Sequence, residues 1–227
     1  FYVKKADASR IYGLELEHIL SPNRISYIVE GNTIIEDHIA GIPGDVFIKN
    51  WLEEPQLNKI RLAKEFVKFN ERCFVRLLGD MRSYNYVVDM TPDFDDIQYR
   101  IRAIDFDQQT YEGMKTMYLP QFFKDNNPIV NFCMSLLNPE TIRQYQKEER
   151  AMIANRIKVS RYRLKDLSDC MENERLSQTD KIDRLKHELA EHFKDESFLE
   201  CESMGEILRT RLFILLYNNK DILAEGI

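Results

Sequence analysis

A long helical pattern that runs straight into a polar loop constrains the fold of this chain more than any other feature. Apolar side chains recur at helical intervals through residues 56–76, and the chain then continues into Gly79 and Asp80. Two runs rich in β-branched and aromatic residues follow at 86–88 and 99–104, with the polar loop 91–96 between them. A helical period that gives way to strand-forming runs predicts a buried helix beside a β-hairpin.

Strand signals also precede this helix, whereas they fade after Tyr118. An opening strand at residues 1–5 and a helical pattern at 11–20 come before two more strand-like runs, 25–29 and 33–35. The Glu-Gly-Asn sequence between the last two runs has the turn chemistry of a hairpin. The first half of the chain therefore predicts an α+β arrangement.

Helix signals dominate the remainder of the chain. The Asn-Pro-Glu sequence at 138–140 predicts a helix start, and apolar spacing predicts amphipathic helices over 182–193 and 204–215. Thr179 or Ser177 is the expected N-cap of the first of these two helices. The predicted order is α+β first and all-helical last.

Two polar motifs carry the chemistry. Asp80 and Asn85 are five positions apart, and Asp105 follows Asn85 by twenty residues at the end of a strand-like run. We call residues 79–85 the Asp80 loop and residues 105–107, which read Asp-Phe-Asp, the Asp105 turn. Phosphoryl transfer from ATP requires carboxylate and amide ligands for Mg²⁺ and a carboxylate near the attacking hydroxyl. Taken singly each motif is typical of a turn or a cap, and it is their conjunction, order and spacing that indicate this chemistry.

In these motifs the chain resembles the protein-kinase-like superfamily. The Gly-Asp pair of the Asp80 loop is similar to the branch that contains aminoglycoside and choline phosphotransferases, and the Asp-Phe-Asp triplet is similar to the lipopolysaccharide sugar kinases. The resemblance covers residues 3–110 and implies an α+β fold with two lobes. Residues 1–40 would be the remnant of a nucleotide-binding lobe, and residues 41–227 a catalytic lobe with a helical extension after about 118.

The resemblance implies a role for each matching residue. Asp80 is the expected catalytic base, Asn85 and Asp105 the metal ligands, and Asp107 an additional metal contact. The cofactors are ATP and Mg²⁺, and the expected nucleotide contacts lie in the small lobe: the strand lysine Lys4, its helix partner Glu15 or Glu17, and the hinge residues 36–41, which include Glu36 and His38. The acceptor is a hydroxyl of a small molecule, a sugar or a protein.

The chain departs from the family pattern in three places, and the first and the last of them favour an alternative function. Leu78 stands where the family has histidine, Asp107 stands where many members have glycine, and no glycine-rich phosphate loop precedes Lys4. Lys4 by itself is also typical of a solvated strand end. The alternative is a noncatalytic kinase-like module that binds a protein partner through its C-terminal helices.

Composition excludes several other classes of protein. A net charge of −6 disfavours a nucleic-acid partner, because such binding depends on clustered Lys and Arg. Four widely spaced cysteines suggest neither a zinc site nor a disulfide framework and favour a cytoplasmic location. No apolar run approaches the roughly 20 residues that a membrane-spanning helix needs, so we expect no integral membrane protein.

Overall fold

The computed structural model describes residues 1–93 and 96–219 and has an α+β architecture with two small antiparallel sheets. This confirms the mixed α+β class that the sequence predicts. Of the described helices, none combines the length and apolarity that crossing a bilayer requires.

The first sheet is built from the N-terminal residues and is covered by one helix. Its strands are ordered β1-β3-β2, and helix α1 connects β1 to β2. Asp7 caps α1 by accepting a hydrogen bond from the Arg10 amide. The elements are β1 (Tyr2–Lys5), α1 (Ala8–Leu20), β2 (Tyr27–Glu30) and β3 (Thr33–Glu36). The predicted opening strand, helix and hairpin are confirmed.

The second sheet lies beyond the hinge and has the order β4-β5-β6. Its main hairpin pairs Tyr86 with Ala103 and extends to Asp93 opposite Asp96, so the strands reach further into the predicted loop 91–96 than expected. Residues 94 and 95 lie outside the described part of the chain. The elements are β4 (Ile42–Pro43), α2 (Gly44–Asn50), β5 (Tyr86–Asp93) and β6 (Asp96–Ala103).

Helix α3 (Lys59–Arg76) is the predicted long helix and leads into the Asp80 loop. The Asn58 side chain caps its first turn by accepting from the Arg61 amide. At the other end Leu77 adopts a left-handed conformation with φ of 55°, which ends the helix and turns the chain toward the loop. Its apolar face packs against the second sheet and α5.

The remaining helices surround α3 and the outer side of α1. The helix start predicted at 138–140 is confirmed, because Asn138 caps α5. The predicted cap of α7 is wrong: Gln178 occupies the cap position, and the Ser177 hydroxyl instead donates to the Tyr111 carbonyl. The helices are α4 (Asn127–Leu136), α5 (Pro139–Val159), α6 (Arg161–Glu172), α7 (Thr179–Phe193) and α8 (Met204–Asn218).

Two hydrophobic clusters form the interior, and α1 contributes to both. Leu14 packs into the cluster that contains both sheets and the sheet-facing side of α3. Leu16, Ile19 and Leu20 pack into the cluster formed with α5 to α8. Residues 1–40 therefore share their core with the later elements of the chain. Residues 220–227 lie outside the described part.

Candidate active site

A cleft of about 310 Å³ lies where the first sheet, the hinge and the second sheet meet. Its walls include the hinge residues 37–39 and Gly41, with Val87 and Ile104 contributing apolar surface. Gly41 has a φ of 150°, and an added Cβ would lie 2.9 Å from Val87, so the hinge requires glycine there. The cleft is thus a small cavity with an apolar wall and a polar end, as in many ligand sites.

Five of the eight predicted site residues line this one cleft. They come from β1, the end of β3, the hinge, the Asp80 loop and the Asp105 turn, and are Lys4, Glu36, His38, Asn85 and Asp105. Three larger grooves occur elsewhere, of about 360, 580 and 700 Å³, but among the described residues none of them is lined by a predicted site residue. The spacing of the two polar motifs, together with the resemblance that it suggested, therefore selected residues that the fold brings together.

The Asp80 loop holds its carboxylate on two sides. Arg82 Nε donates to Asp80 Oδ1 at 2.9 Å, and this hydrogen bond raises the pKa of the Arg82 guanidinium. Asn85 Nδ2 donates to the Asp80 carbonyl at 2.7 Å and lies 3.3 Å from Oδ2. Asp80 has a φ of 54°, a left-handed conformation that Asp tolerates better than most residues. The carboxylate is about a quarter exposed and is fixed in orientation by both neighbours.

The Asp80 loop and the Asp105 turn are joined through Gln109, which the sequence did not single out. Leu78 and Gln109 form an antiparallel bridge. The fully buried Gln109 side chain donates from Nε2 to the carbonyls of Arg76 and Leu77, at 2.5 and 3.2 Å. Main-chain pairing at Leu78 and the side chain of Gln109 therefore connect the two segments.

Lys4 pairs with Glu36 rather than with a residue of α1. Lys4 Nζ lies 3.0 Å from Glu36 Oε2 and 3.3 Å from the Ile104 carbonyl oxygen. Within the described residues, the two proposed helix partners are engaged elsewhere. Glu15 accepts hydrogen bonds from Tyr27 and Arg163 outside the cleft, and Glu17 forms a buried pair with Arg76.

Arg10, rather than a helix glutamate, is the α1 residue that reaches the Asp105 turn. Its Nη1 donates to Asp105 Oδ1 at 2.7 Å, and its Nη2 lies 3.7 Å from Asp107 Oδ2. Burial lowers the pKa of Arg10, but the hydrogen bond and charge of Asp105 outweigh it, so the pKa is raised overall. Burial and the charge of Asp105 raise the pKa of Asp107.

A helical-face pattern could have identified Arg10. Positions i, i+3 and i+7 lie on one face of a helix, which places Arg10 with Gly13 and Glu17. Gly13 allows this face to approach the Asp105 turn closely, since an added Cβ would lie 2.8 Å from Phe106 Cβ. A charged residue beside a glycine on a helix face was the signal in the sequence.

Comparisons with family models, with curated proteins and with solved structures found no match to this chain. The function must therefore be argued from the residues of the cleft themselves.

Proposed function

We propose that this chain is an ATP- and Mg²⁺-dependent phosphotransferase of protein-kinase-like fold that acts on a hydroxyl of a small molecule, sugar or protein. The observation that carries the proposal is the cleft in which Lys4, Asn85 and Asp105 meet beside the hinge. A cation for phosphate, an amide and a carboxylate for metal, and an apolar wall next to the hinge are the groups that suit a magnesium nucleotide.

The order of elements supports this fold. A strand bearing Lys4, a helix and two strands precede the hinge, and a long helix precedes the Asp80 loop. Strand β6 then leads into the Asp105 turn. The nucleotide base would lie against Val87 and Ile104, beside the main chain of the hinge.

Asp80 is the proposed base. Its carboxylate is partly exposed and is oriented by Arg82 and Asn85, so it can accept the proton of an acceptor hydroxyl without first reorganising. Arg82 also lies 3.4 Å from Asp125 and over the Phe123 ring, contacts that fix its guanidinium beside the base.

The proposed magnesium ligands fit an ion that the nucleotide completes. No group of three or more acidic, histidine or cysteine side chains suited to a metal occurs among the described residues. Magnesium, however, is commonly held by one or two carboxylates together with substrate phosphates and water. Asp105 and Asn85 line the cleft, and because Asn85 uses Nδ2 on Asp80, Oδ1 is its ligand atom. The bound ion would neutralise charge on the phosphates; Asp107 would add a further carboxylate.

A transfer assay tests the proposed base. We expect the full chain with MgATP to phosphorylate at least one acceptor in a panel of amino sugars, choline, lipid-A-type sugars and protein. The assay measures the transfer of labelled phosphate from ATP to the acceptor. Asp80→Asn should lower the rate by about 10²–10⁴-fold because it removes the proton acceptor. Unchanged transfer by this variant, with its melting temperature preserved, would contradict the assignment.

The alternative is a noncatalytic module that binds a protein partner through its C-terminal helices. Two observations favour it: Arg10 engages the metal ligand Asp105, and α8 exposes Phe213 and Tyr217 beside a groove of about 580 Å³. Stabilisation by MgATP without transfer to any acceptor in the panel, or to added protein, would favour this alternative over the enzyme.

A further inference from the structure

Arg10 lies where a metal ion bound to Asp105 would also need to be. Its guanidinium is within hydrogen-bond distance of Asp105 Oδ1, at 2.7 Å, and near Asp107 Oδ2, at 3.7 Å. The side chain is 11% exposed, and its Nε lacks a hydrogen bond among the described atoms. A planar guanidinium can engage two carboxylates at once, which an ammonium group cannot do in the same geometry.

The charges around Arg10 leave room for a divalent cation. Two cations, Lys4 and Arg10, form ion pairs with four carboxylates. The carboxylates are those of Asp7, Glu36, Asp105 and Asp107. The group therefore carries a net charge of −2. One divalent ion would balance it, but Asp105 Oδ1 already accepts a hydrogen bond from Arg10.

Glu36 provides a second place for the guanidinium. Its side chain is 5% exposed, its Oε2 holds Lys4, and its Oε1 is buried without a hydrogen bond at 4.0 Å from Arg10 Nη1. A buried carboxylate oxygen without a donor is costly, so a donor that moves toward it is favoured. Rotation of the Arg10 side chain by a short distance would satisfy Glu36.

The backbone of α1 can remain in place during this movement. The buried pair of Glu17 with Arg76 connects α1 to α3. Arg156 donates to the carbonyls of His18 and Ile19 and so also fixes the C-terminal turn of α1 to α5. The change is confined to side chains in the cleft.

We propose that Arg10 is a displaceable cation on the proposed metal ligand: Mg²⁺ takes Asp105, and the guanidinium moves to Glu36 Oε1, which lacks a hydrogen bond among the described atoms. Arg10 is thus a positioning residue that couples metal binding to Glu36, the carboxylate that also pairs with Lys4. This inference rests on the proposed function, because it takes Asp105 as a metal ligand.

Calorimetric titration of the full chain with Mg²⁺ alone tests the competition. Arg10→Gln should bind Mg²⁺ about tenfold more tightly than wild type, since a charge-assisted hydrogen bond to Asp105 no longer has to be broken. Arg10→Lys keeps the charge but loses the fork, so its affinity should fall between the two. Arg163→Gln is the matched control, because it removes an arginine that pairs with Glu15 on the same helix, and it should leave Mg²⁺ affinity unchanged.

A double-mutant cycle tests the role of Glu36. Glu36→Gln should weaken Mg²⁺ binding, because the displaced guanidinium loses its negatively charged acceptor. In the Arg10→Gln background the same change should have a smaller effect, since no guanidinium needs to be received. Equal effects in both backgrounds would show that Glu36 acts only through its charge and would overturn the coupling.

The outcomes separate this inference from the function beneath it. Equal Mg²⁺ affinity of wild type, Arg10→Gln and Arg10→Lys, weaker binding in Arg10→Gln, or no binding by any of them overturns the role of Arg10. If MgATP nevertheless stabilises wild type and not Asp105→Ala, the phosphotransferase proposal stands without it. If Arg10→Gln tightens Mg²⁺ binding but ATP adds no stability to any variant, the metal competition stands and the nucleotide function falls. If Arg10→Gln fails to fold, the role of Arg10 is decided by two other measurements. These are the Mg²⁺ affinity of Arg10→Lys and the effect of Glu36→Gln in wild type compared with its effect in Arg10→Lys.

Discussion

The molecule contains two clusters of charged side chains, one in the core and one in the cleft, and they differ in how far they are exposed to solvent. In the core charge cluster (Glu65, Arg72 and Glu149), Arg72 donates to Glu149 at 2.7 Å and to Glu65 at 2.9 Å. In the cleft charge cluster (Lys4, Arg10, Glu36, Asp105 and Asp107), the two aspartates are 32% and 42% exposed.

The difference in exposure separates a structural role from a functional one. Arg72 and Glu149 are 5% and 3% exposed, so neither can be left without its partner at low cost. The aspartates of the cleft can be hydrated or can bind another cation when Arg10 leaves. The core cluster therefore connects α3, α5 and β6 permanently, whereas the cleft cluster can be rearranged by a ligand.

The largest expected effect is at Arg72. Arg72→Leu would leave the carboxylates of Glu65 and Glu149 buried without a counter-charge and should lower the free energy of unfolding by about 3–5 kcal/mol. Denaturant unfolding measures this change. Arg209→Leu, which breaks an exposed pair with Glu172, should cost less than about 1 kcal/mol. Similar losses in both variants would remove the distinction between buried and exposed clusters.

A smaller effect is expected where α1 touches the Asp105 turn. Gly13→Ala places a Cβ 2.8 Å from Phe106 Cβ and should lower stability by about 1–3 kcal/mol, less the gain in helix propensity. It should also reduce the MgATP-induced shift in melting temperature, because the turn that carries Asp105 is displaced. Gly205→Ala makes a closer clash, with the backbone carbonyl carbon of Met171, at a position that does not line the cleft, and should leave the shift intact. A shift unaffected by Gly13→Ala would mean that the cleft does not depend on this contact.

The smallest effect is a pH dependence at Glu71, a neighbour of the core charge cluster. Burial raises the pKa of Glu71 above 4.5, against the opposing charges of Arg150 and Arg211. The folded state then binds the proton more tightly than the unfolded state, so the contribution to stability is present below pH 4.5 and is lost as pH rises through the folded pKa. The stability of wild type relative to Glu71→Gln should fall from pH 4.5 toward neutrality, measured by denaturant unfolding; a constant difference would contradict the raised pKa.

Local sequence patterns predicted most of the elements around the site. The hairpins, α1, α3 and α5 followed from period, turn chemistry and caps, because those signals act between residues close in sequence. Helices α2, α4 and α6 were not predicted individually. In each of them the first turn has no side-chain capping hydrogen bond, so the sequence indicated less clearly where the helix begins.

The pairing of charges could not be predicted in the same way. The spacing of the motifs selected Asn85 and Asp105, which lie in the same cleft as Lys4. The resemblance, however, gave the wrong partner for the lysine, which pairs with Glu36. Glu36 contacts Lys4 within the first sheet, and Arg10 contacts Asp105 from helix α1. Both contacts depend on the direction of the side chains and not on distance along the chain. Gln109 was missed for the same reason, since its partners at Arg76 and Leu77 are more than thirty residues away.

Thermal melting of the full chain with MgATP, against Mg²⁺ alone, tests the central claim most directly. Ligand at about 100 times its dissociation constant should add roughly 2.7 kcal/mol of apparent stability to wild type. Asp105→Ala should abolish that gain, whereas the matched control Asp166→Ala, at an exposed position on α6, should retain it. The same gain in Asp105→Ala, or no gain in wild type, would contradict a nucleotide site at the Asp105 turn.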